Sequence, residues 1–163
     1  MHEELVSAAR EAGAWLQARN WRLVTAESCT GGLVAAAITE IAGSSGWFDR
    51  GFVTYTNESK QEQLGVHAAT LQQFGAVSEA TVREMAFGAL RASKADVAIA
   101  ISGIAGPGGG SPDKPVGTVC LAWARKEEPL SDVVALTAHF EGGRSAVRLA
   151  ASLLALQALS NRA

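Results

Sequence analysis

Ser28, Tyr55 and Lys60 are the side chains whose types and positions could support covalent chemistry. Ser28 lies in Glu27-Ser-Cys-Thr-Gly-Gly32, and the other two lie in Tyr55-Thr-Asn-Glu-Ser-Lys60. A serine hydroxyl attacks a carbonyl only when a base takes its proton. A lysine serves as that base near neutral pH only if burial or neighbouring cations lower its pKa, and Ser–Lys pairs are a known variant of the serine triad. Each residue also has a plainer role open to it. Ser28 and Thr30 suit helix caps, Lys60 suits an ordinary surface lysine, and Tyr55 suits a strand aromatic with its hydroxyl in water. No His–Asp pair supports a triad: His2 is near the terminus, His67 sits in a polar turn and His139 in a late strand. Ala26 stands where a G-x-S-x-G elbow needs glycine.

The second chemical feature is the segment Gly103 to Gly117, which holds six of the 17 glycines and three of the four prolines. It lacks P-loop spacing, and the strand pattern after it excludes a dinucleotide fingerprint, which needs a helix there. Glycines let backbone N–H groups approach a ligand closely and form an anion nest. Arg144, at the start of the last predicted helix, opposes the helix dipole unless an anion or carboxylate sits nearby, which makes it a candidate phosphate contact. Arg148, one turn later, is a weaker one. No cluster of His, Cys, Asp or Glu has metal-ligand spacing, and Cys29 and Cys120 cannot form a disulfide framework or a four-cysteine zinc site.

The elements that must position these residues follow from periodicity. Leu5, Ala8, Ala9, Ala12, Trp15 and Leu16 give Glu3 to Arg19 one apolar helical stripe. Arg22 to Ser28 reads as a strand, and Thr30 to Ile41 as a helix capped by Thr30 with Gly31-Gly32 in its first turn. Gly51 to Thr56 reads as the second strand, followed by a short helix from Asn57 or Glu58 to Gly65 and a longer one from a Ser78 cap to Lys94. Asp96 to Ser102 is apolar without alternation, the mark of an interior strand buried on both faces. Val116 to Ala124 and Asp132 to Phe140 form an antiparallel pair, and Gly143 to Leu159 a closing helix. The order α β α β α α β β β α predicts a three-layer α/β/α sandwich with a mixed, mostly parallel sheet of about five strands, in one domain over residues 1–163. Ligands in such sheets sit beyond the carboxyl ends of the parallel strands. Glu27-Ser-Cys-Thr30, Tyr55-Thr-Asn57 and Ser102 all fall at such ends, so one crevice should collect them.

Composition narrows the function classes. Apolar residues make up 48% of the 163-residue chain and charged residues 18%, which excludes a disordered tail. A net charge of −2 lacks the footprint of a general nucleic-acid binder. The first residues lack the basic region of a signal peptide, and no apolar run spans a bilayer, so a cytoplasmic setting is expected.

Thr25-Ala-Glu-Ser-Cys-Thr-Gly-Gly32, Tyr55-Thr-Asn-Glu-Ser-Lys60, Ser102-Gly-Ile-Ala-Gly-Pro-Gly-Gly109, Lys114-Pro-Val-Gly-Thr118 and Phe140-Glu-Gly-Gly-Arg144, in this order, resemble the C-terminal domain family of the competence-damage-inducible protein CinA. The resemblance covers nearly the whole chain. It implies an α/β/α fold, no required metal or cofactor, and commonly a homo-oligomer. It also implies the activity of the single-domain members, hydrolysis of the carboxamide of nicotinamide mononucleotide to nicotinate mononucleotide and ammonia in NAD recycling. The larger members carry an extra N-terminal domain, for which this chain leaves no room. The family nucleophile matches Ser28, and its partners match Tyr55 and Lys60. Thr30, Gly31, Gly32, Asn57, Ser102, Gly103, Ala105, Gly106, Pro107, Gly108 and Arg144 form the expected substrate-contacting set. Gly143 replaces the aspartate that often precedes the last arginine. In the implied reaction Lys60 takes the Ser28 proton directly or through Tyr55, and N–H groups of the glycine-rich loop or the Thr30 helix start hold the oxyanion. Two other classes stay open: an amidase using Cys29 with Glu27 and Lys60 as helpers, and a non-catalytic nucleotide-binding domain.

Overall fold

The computed structural model describes residues 1–163. Helix α1 (Glu3–Gln17) leads into β1 (Leu23–Glu27), α2 (Leu33–Thr39) and β2 (Phe48–Val53). Three helices follow, α3 (Asn57–Leu64), α4 (Ala68–Phe74) and α5 (Glu79–Arg91), then β3 (Val97–Gly103), β4 (Thr118–Arg125) and β5 (Val134–His139). Helices α6 (Arg144–Gln157) and α7 (Leu159–Arg162) close the chain. The strands form one sheet in the order β2-β1-β3-β4-β5. β1 pairs in parallel with β2 and β3, whereas β4 runs antiparallel to both neighbours. Four strands therefore point one way, and the sandwich expected from the sequence is the one observed.

Strand alternation sorts the core into two clusters. Leu23, Val97, Ile99, Ile101, Val119, Leu121 and Trp123 face α1, α2 and α6. Val24, Ala26, Ala98, Ala100, Ala122 and Ala124 face α5 with its Val82, Met85, Ala86 and Ala89. The second face is largely alanine, so α5 lies close to the sheet. Gly88 of α5 then admits α3, because a Cβ there would overlap the Leu64 carbonyl. On the other face Trp123 Nε1 donates to the Ala155 carbonyl at 2.9 Å and fastens α6 to the sheet.

The elements depart from expectation in four places. The second strand occupies Phe48–Val53, not Gly51 to Thr56. Leu23 already pairs with Phe48, while Thr56 is taken by the N-cap of α3, in a reciprocal capping box with Ser59. Helix α2 starts at Leu33, not Thr30, because Gly31 and Gly32 sit at φ +60° and +94°, outside helical backbone. Helix α4 has no counterpart in the expected order, since its single buried residue, Leu71, leaves no apolar period to read. The expected final helix breaks at Ala158 into α6 and a short α7.

Gly88→Ala tests how α3 is seated. Overpacking typically costs about 1–3 kcal/mol, so thermal unfolding should show a clearly lowered Tm. An unchanged Tm would mean that α3 does not rest on α5 at this point.

Candidate active site

The parallel strands β2, β1 and β3 end side by side. Ser28 N–H donates to the Ile101 carbonyl and Thr54 N–H to the Glu27 carbonyl, both at 2.9 Å, so the register continues one residue past β1. Strand alternation then sets Thr54, Ser28 and Ser102 in a row on the α3 side. All three are buried, and Thr54 Oγ1 has no hydrogen-bond partner.

Lys60 lies one turn into α3, and a helical side chain leans toward its helix N-terminus, which here points at the row of hydroxyls. Lys60 is 1% exposed, and its Nζ lies 3.0 Å from Ser28 Oγ and 2.8 Å from the Thr54 carbonyl. Burial pushes its pKa below the ordinary lysine value. Cys29 takes the opposite alternation and joins the apolar cluster under α1, α2 and α6. Burial pushes its thiol up to about 11, so at neutral pH it is uncharged and a poor nucleophile.

A crevice of about 210 Å³ opens above this pair, lined by Ser28, Cys29, Tyr55, Lys60, Ala76, Val77, Ser102, Gly103, Ala105 and Arg144. Larger hollows of about 350 and 470 Å³ lie along α5 and the β4–β5 turn, and neither holds a nucleophile beside a base. Tyr55 is 57% exposed at the rim. Its hydroxyl accepts from Arg144 Nη2 at 2.7 Å, and Arg144 Nη1 donates to the Gly106 carbonyl at 2.8 Å. Tyr55 follows Thr54 in the chain and so leans to the α6 side. Its hydroxyl bonds Arg144 rather than Ser28 or Lys60, which differs from the expected relay geometry.

Several expected contacts lie elsewhere. Thr30 does not cap α2: its hydroxyl donates to Glu27 Oε1 at 2.8 Å, and its carbonyl accepts from Arg148 Nη2 at 2.9 Å. Gly31 and Gly32 form the turn behind it. Asn57 opens α3 on the exposed side, and Pro107 and Gly108 occupy the outer part of the glycine-rich loop. None of these lines the crevice. Arg148, expected as the weaker phosphate contact, spends its guanidinium on the Cys29 and Thr30 carbonyls. The N–H groups of Ala105 and Gly106 donate to no acceptor within the protein. No group of three or more His, Cys, Asp or Glu is gathered to hold a metal, and no helix is long and apolar enough to cross a membrane.

Sequence reasoning missed Ala76 and Val77, which belong to the α4–α5 connection and carry no chemical signal. It also missed the strap from Lys114 Nζ to the Phe74 carbonyl at 2.6 Å, which ties the glycine-rich loop to that connection. Glu27 carried a faint signal, an acid just before a Gly-Gly helix start.

This is a three-layer α/β/α domain with a buried serine–lysine pair at the carboxyl ends of its parallel strands. Residues 5–163 match the family described as CinA C-terminal domain, and the chain belongs to that family. It is 58% identical over 147 residues to the nicotinamide-nucleotide amidohydrolase PncC of Enterobacter agglomerans, covering 90% of this chain and 88% of the relative. The PncC of Escherichia coli K12 is 54% identical over 156 residues, with 96% and 93% covered. The crystal structure of the competence/damage inducible protein CihA from Agrobacterium tumefaciens superposes with a TM-score of 0.90 at 47% identity, covering 96% of this chain and 94% of that one.

The buried lysine makes stability depend on pH. Between its lowered pKa and the ordinary value of 10.5, the unfolded chain holds a proton that the folded chain has released. Stability therefore rises with pH across that window. Cys29 acts oppositely between 9.0 and about 11, so the difference between wild type and Lys60→Met isolates the lysine. The Tm of Lys60→Met should rise less with pH, measured by calorimetry. Parallel Tm–pH curves would return Lys60 to an ordinary pKa.

Proposed function

We propose that this chain hydrolyses the carboxamide of nicotinamide mononucleotide to nicotinate mononucleotide and ammonia, with Ser28 as nucleophile and Lys60 as base. The 3.0 Å contact between the two side chains inside the crevice carries the reading, and the activity for which the PncC relatives are named supports the substrate. Neutral Lys60 donates one hydrogen to the Thr54 carbonyl and offers its lone pair to the Ser28 hydroxyl proton. Ser28 Oγ then bonds to the carboxamide carbon. Glu27 already occupies the N-terminus of α2, and the proposed oxyanion donors are the unpaired N–H groups of Ala105 in the crevice wall and of Cys29 beside Ser28. As the C–N bond breaks, the Lys60 ammonium gives its proton to the departing nitrogen, which leaves as ammonia. Lys60 then takes a proton from water, the hydroxide attacks the Ser28 ester, and the proton returns to Ser28 Oγ as the acid is released.

The direct Ser28–Lys60 route needs no relay, and a relay through Tyr55 requires that its hydroxyl leave Arg144. We assign Tyr55 and Arg144 to the rim, where the guanidinium meets the substrate phosphate, and Ser102 and Gly103 to the crevice wall. The family resemblance further supports a homo-oligomer working in cytoplasmic NAD recycling.

Ammonia release from nicotinamide mononucleotide by the purified protein is the direct test, and binding without release would make this a nucleotide-binding domain. Ser28→Ala should fold, bind the nucleotide and lose activity by several orders of magnitude. Cys29→Ala should stay within roughly tenfold of wild type. An active Ser28→Ala beside a folded but inactive Cys29→Ala would hand the role to the thiol.

Phosphate recognition has its own check. A lost charged contact costs about 2 kcal/mol, roughly thirtyfold in kcat/KM. Nicotinamide riboside should be at least that much poorer than the mononucleotide, whereas equal values would reject a phosphate contact.

A further inference from the structure

The turn that presents Ser28 is held by a buried carboxylate outside the reaction scheme. Glu27 is 1% exposed and lies on the opposite side of the strand from Ser28. Its Oε1 accepts from Thr30 Oγ1 at 2.8 Å and from Val34 N–H at 2.9 Å, and its Oε2 accepts from Ala35 N–H at 3.0 Å. Val34 and Ala35 are the second and third residues of α2, whose N-cap is Gly32, with no side chain to receive them. A residue from the preceding strand thus does the work of an N-cap across a double-glycine turn. Arg148 supplies the complement by donating to the Cys29 and Thr30 carbonyls. The Glu27 carboxylate and the Cys29 and Thr30 carbonyls behind this turn are engaged, and Ser28 faces forward to Lys60.

We propose that Glu27 is a positioning residue for the nucleophile: by joining the end of β1 to the start of α2, it fixes the turn in the one placement that keeps Ser28 Oγ against Lys60 Nζ. The proposal rests on the reading of Ser28 and Lys60 as the reacting pair. The glycines make the clamp necessary, because two successive left-handed glycines leave the turn little stiffness of its own.

Glu27→Gln keeps the size and one acceptor oxygen but sets an amide N–H₂ against a backbone N–H. Misplacement by a fraction of an ångström already weakens catalysis, so kcat should fall about tenfold to a hundredfold. KM should stay within roughly twofold, since no substrate contact is removed. A second measurement needs no substrate: the Lys60 ionisation, followed by NMR of labelled lysine, should move in Glu27→Gln toward its value in Ser28→Ala. Leu159→Ala, which removes core packing under α7, is the control for lost stability and should leave that ionisation in place. A folded Glu27→Gln with wild-type kcat and an unmoved Lys60 ionisation overturns the proposal, as does a loss carried by KM alone. If the wild type releases no ammonia, the amidase reading fails, and the ionisation measurement still decides for or against Glu27.

Discussion

A lysine amine buried against a serine hydroxyl is the constraint around which the rest of the molecule is arranged. Taking an ammonium out of water is costly unless the group sheds its proton or finds partners. Lys60 has two, the Thr54 carbonyl and Ser28 Oγ, so an ammonium there lacks a partner for its third hydrogen and buries its charge, whereas a neutral amine buries no charge. The fold creates that burial by bringing α3 down onto the sheet edge. It can do so because α5 rides on an alanine face and offers Gly88 where the end of α3 arrives. The features that lower the lysine pKa are therefore packing features, spread over residues outside the crevice.

The site divides its polar work between two faces of one strand end. Behind the strand, Glu27 and Arg148 absorb the donors and carbonyls of the β1–α2 turn. In front, Ser28, Ser102 and the lysine face the crevice, and Tyr55 and Arg144 close its rim. A helix start often serves as an anion site because its N–H groups are free. Here Val34 and Ala35 N–H are satisfied by the protein's own carboxylate, and the N–H groups without an acceptor include those of Cys29 and Thr30 in the turn before α2 and of Ala105 and Gly106 in the glycine-rich loop. The loop is not slack: Lys114 ties it to the Phe74 carbonyl, and the Gly106 carbonyl is tied to Arg144.

The sequence made legible those features that depend on short-range pattern or on topology. An apolar run without alternation marks β3 as interior, and strand ends in a parallel sheet gather Ser28, Tyr55 and Ser102 at one edge. The features that escaped depend on where a side chain turns. Thr30 carries the composition of a helix cap, yet the double glycine after it delays the helix and hands the cap to Glu27. Tyr55 lies near Lys60 in sequence, but pleat alternation turns it toward Arg144. Arg148 looked like a spare cation because its partners are backbone carbonyls, which no side-chain motif announces. Helix α4 escaped because one buried leucine sets no period.

The proposed choice of Ser28 over the adjacent Cys29 rests on how the fold places the two side chains. In isolation a cysteine outcompetes a serine, since its thiolate forms near neutral pH and attacks without a base. Positions 28 and 29 reverse that order through alternation alone. The odd positions of β1 lie under α1, α2 and α6, where Leu23 and Cys29 enter an apolar cluster and burial raises the thiol's pKa to about 11. The even positions lie under α3 and α5, where the last of them meets an amine that burial has made a stronger candidate base. Desolvation thus acts on both groups in the direction of neutrality, with opposite consequences. A neutral thiol has lost the form in which it attacks, whereas a neutral amine has gained the lone pair with which it accepts a proton. Exchanging the two side chains would set a thiol against the lysine and a hydroxyl in an apolar cluster without a base, so what is specific to this site is the parity of the strand as much as the identity of the residues on it.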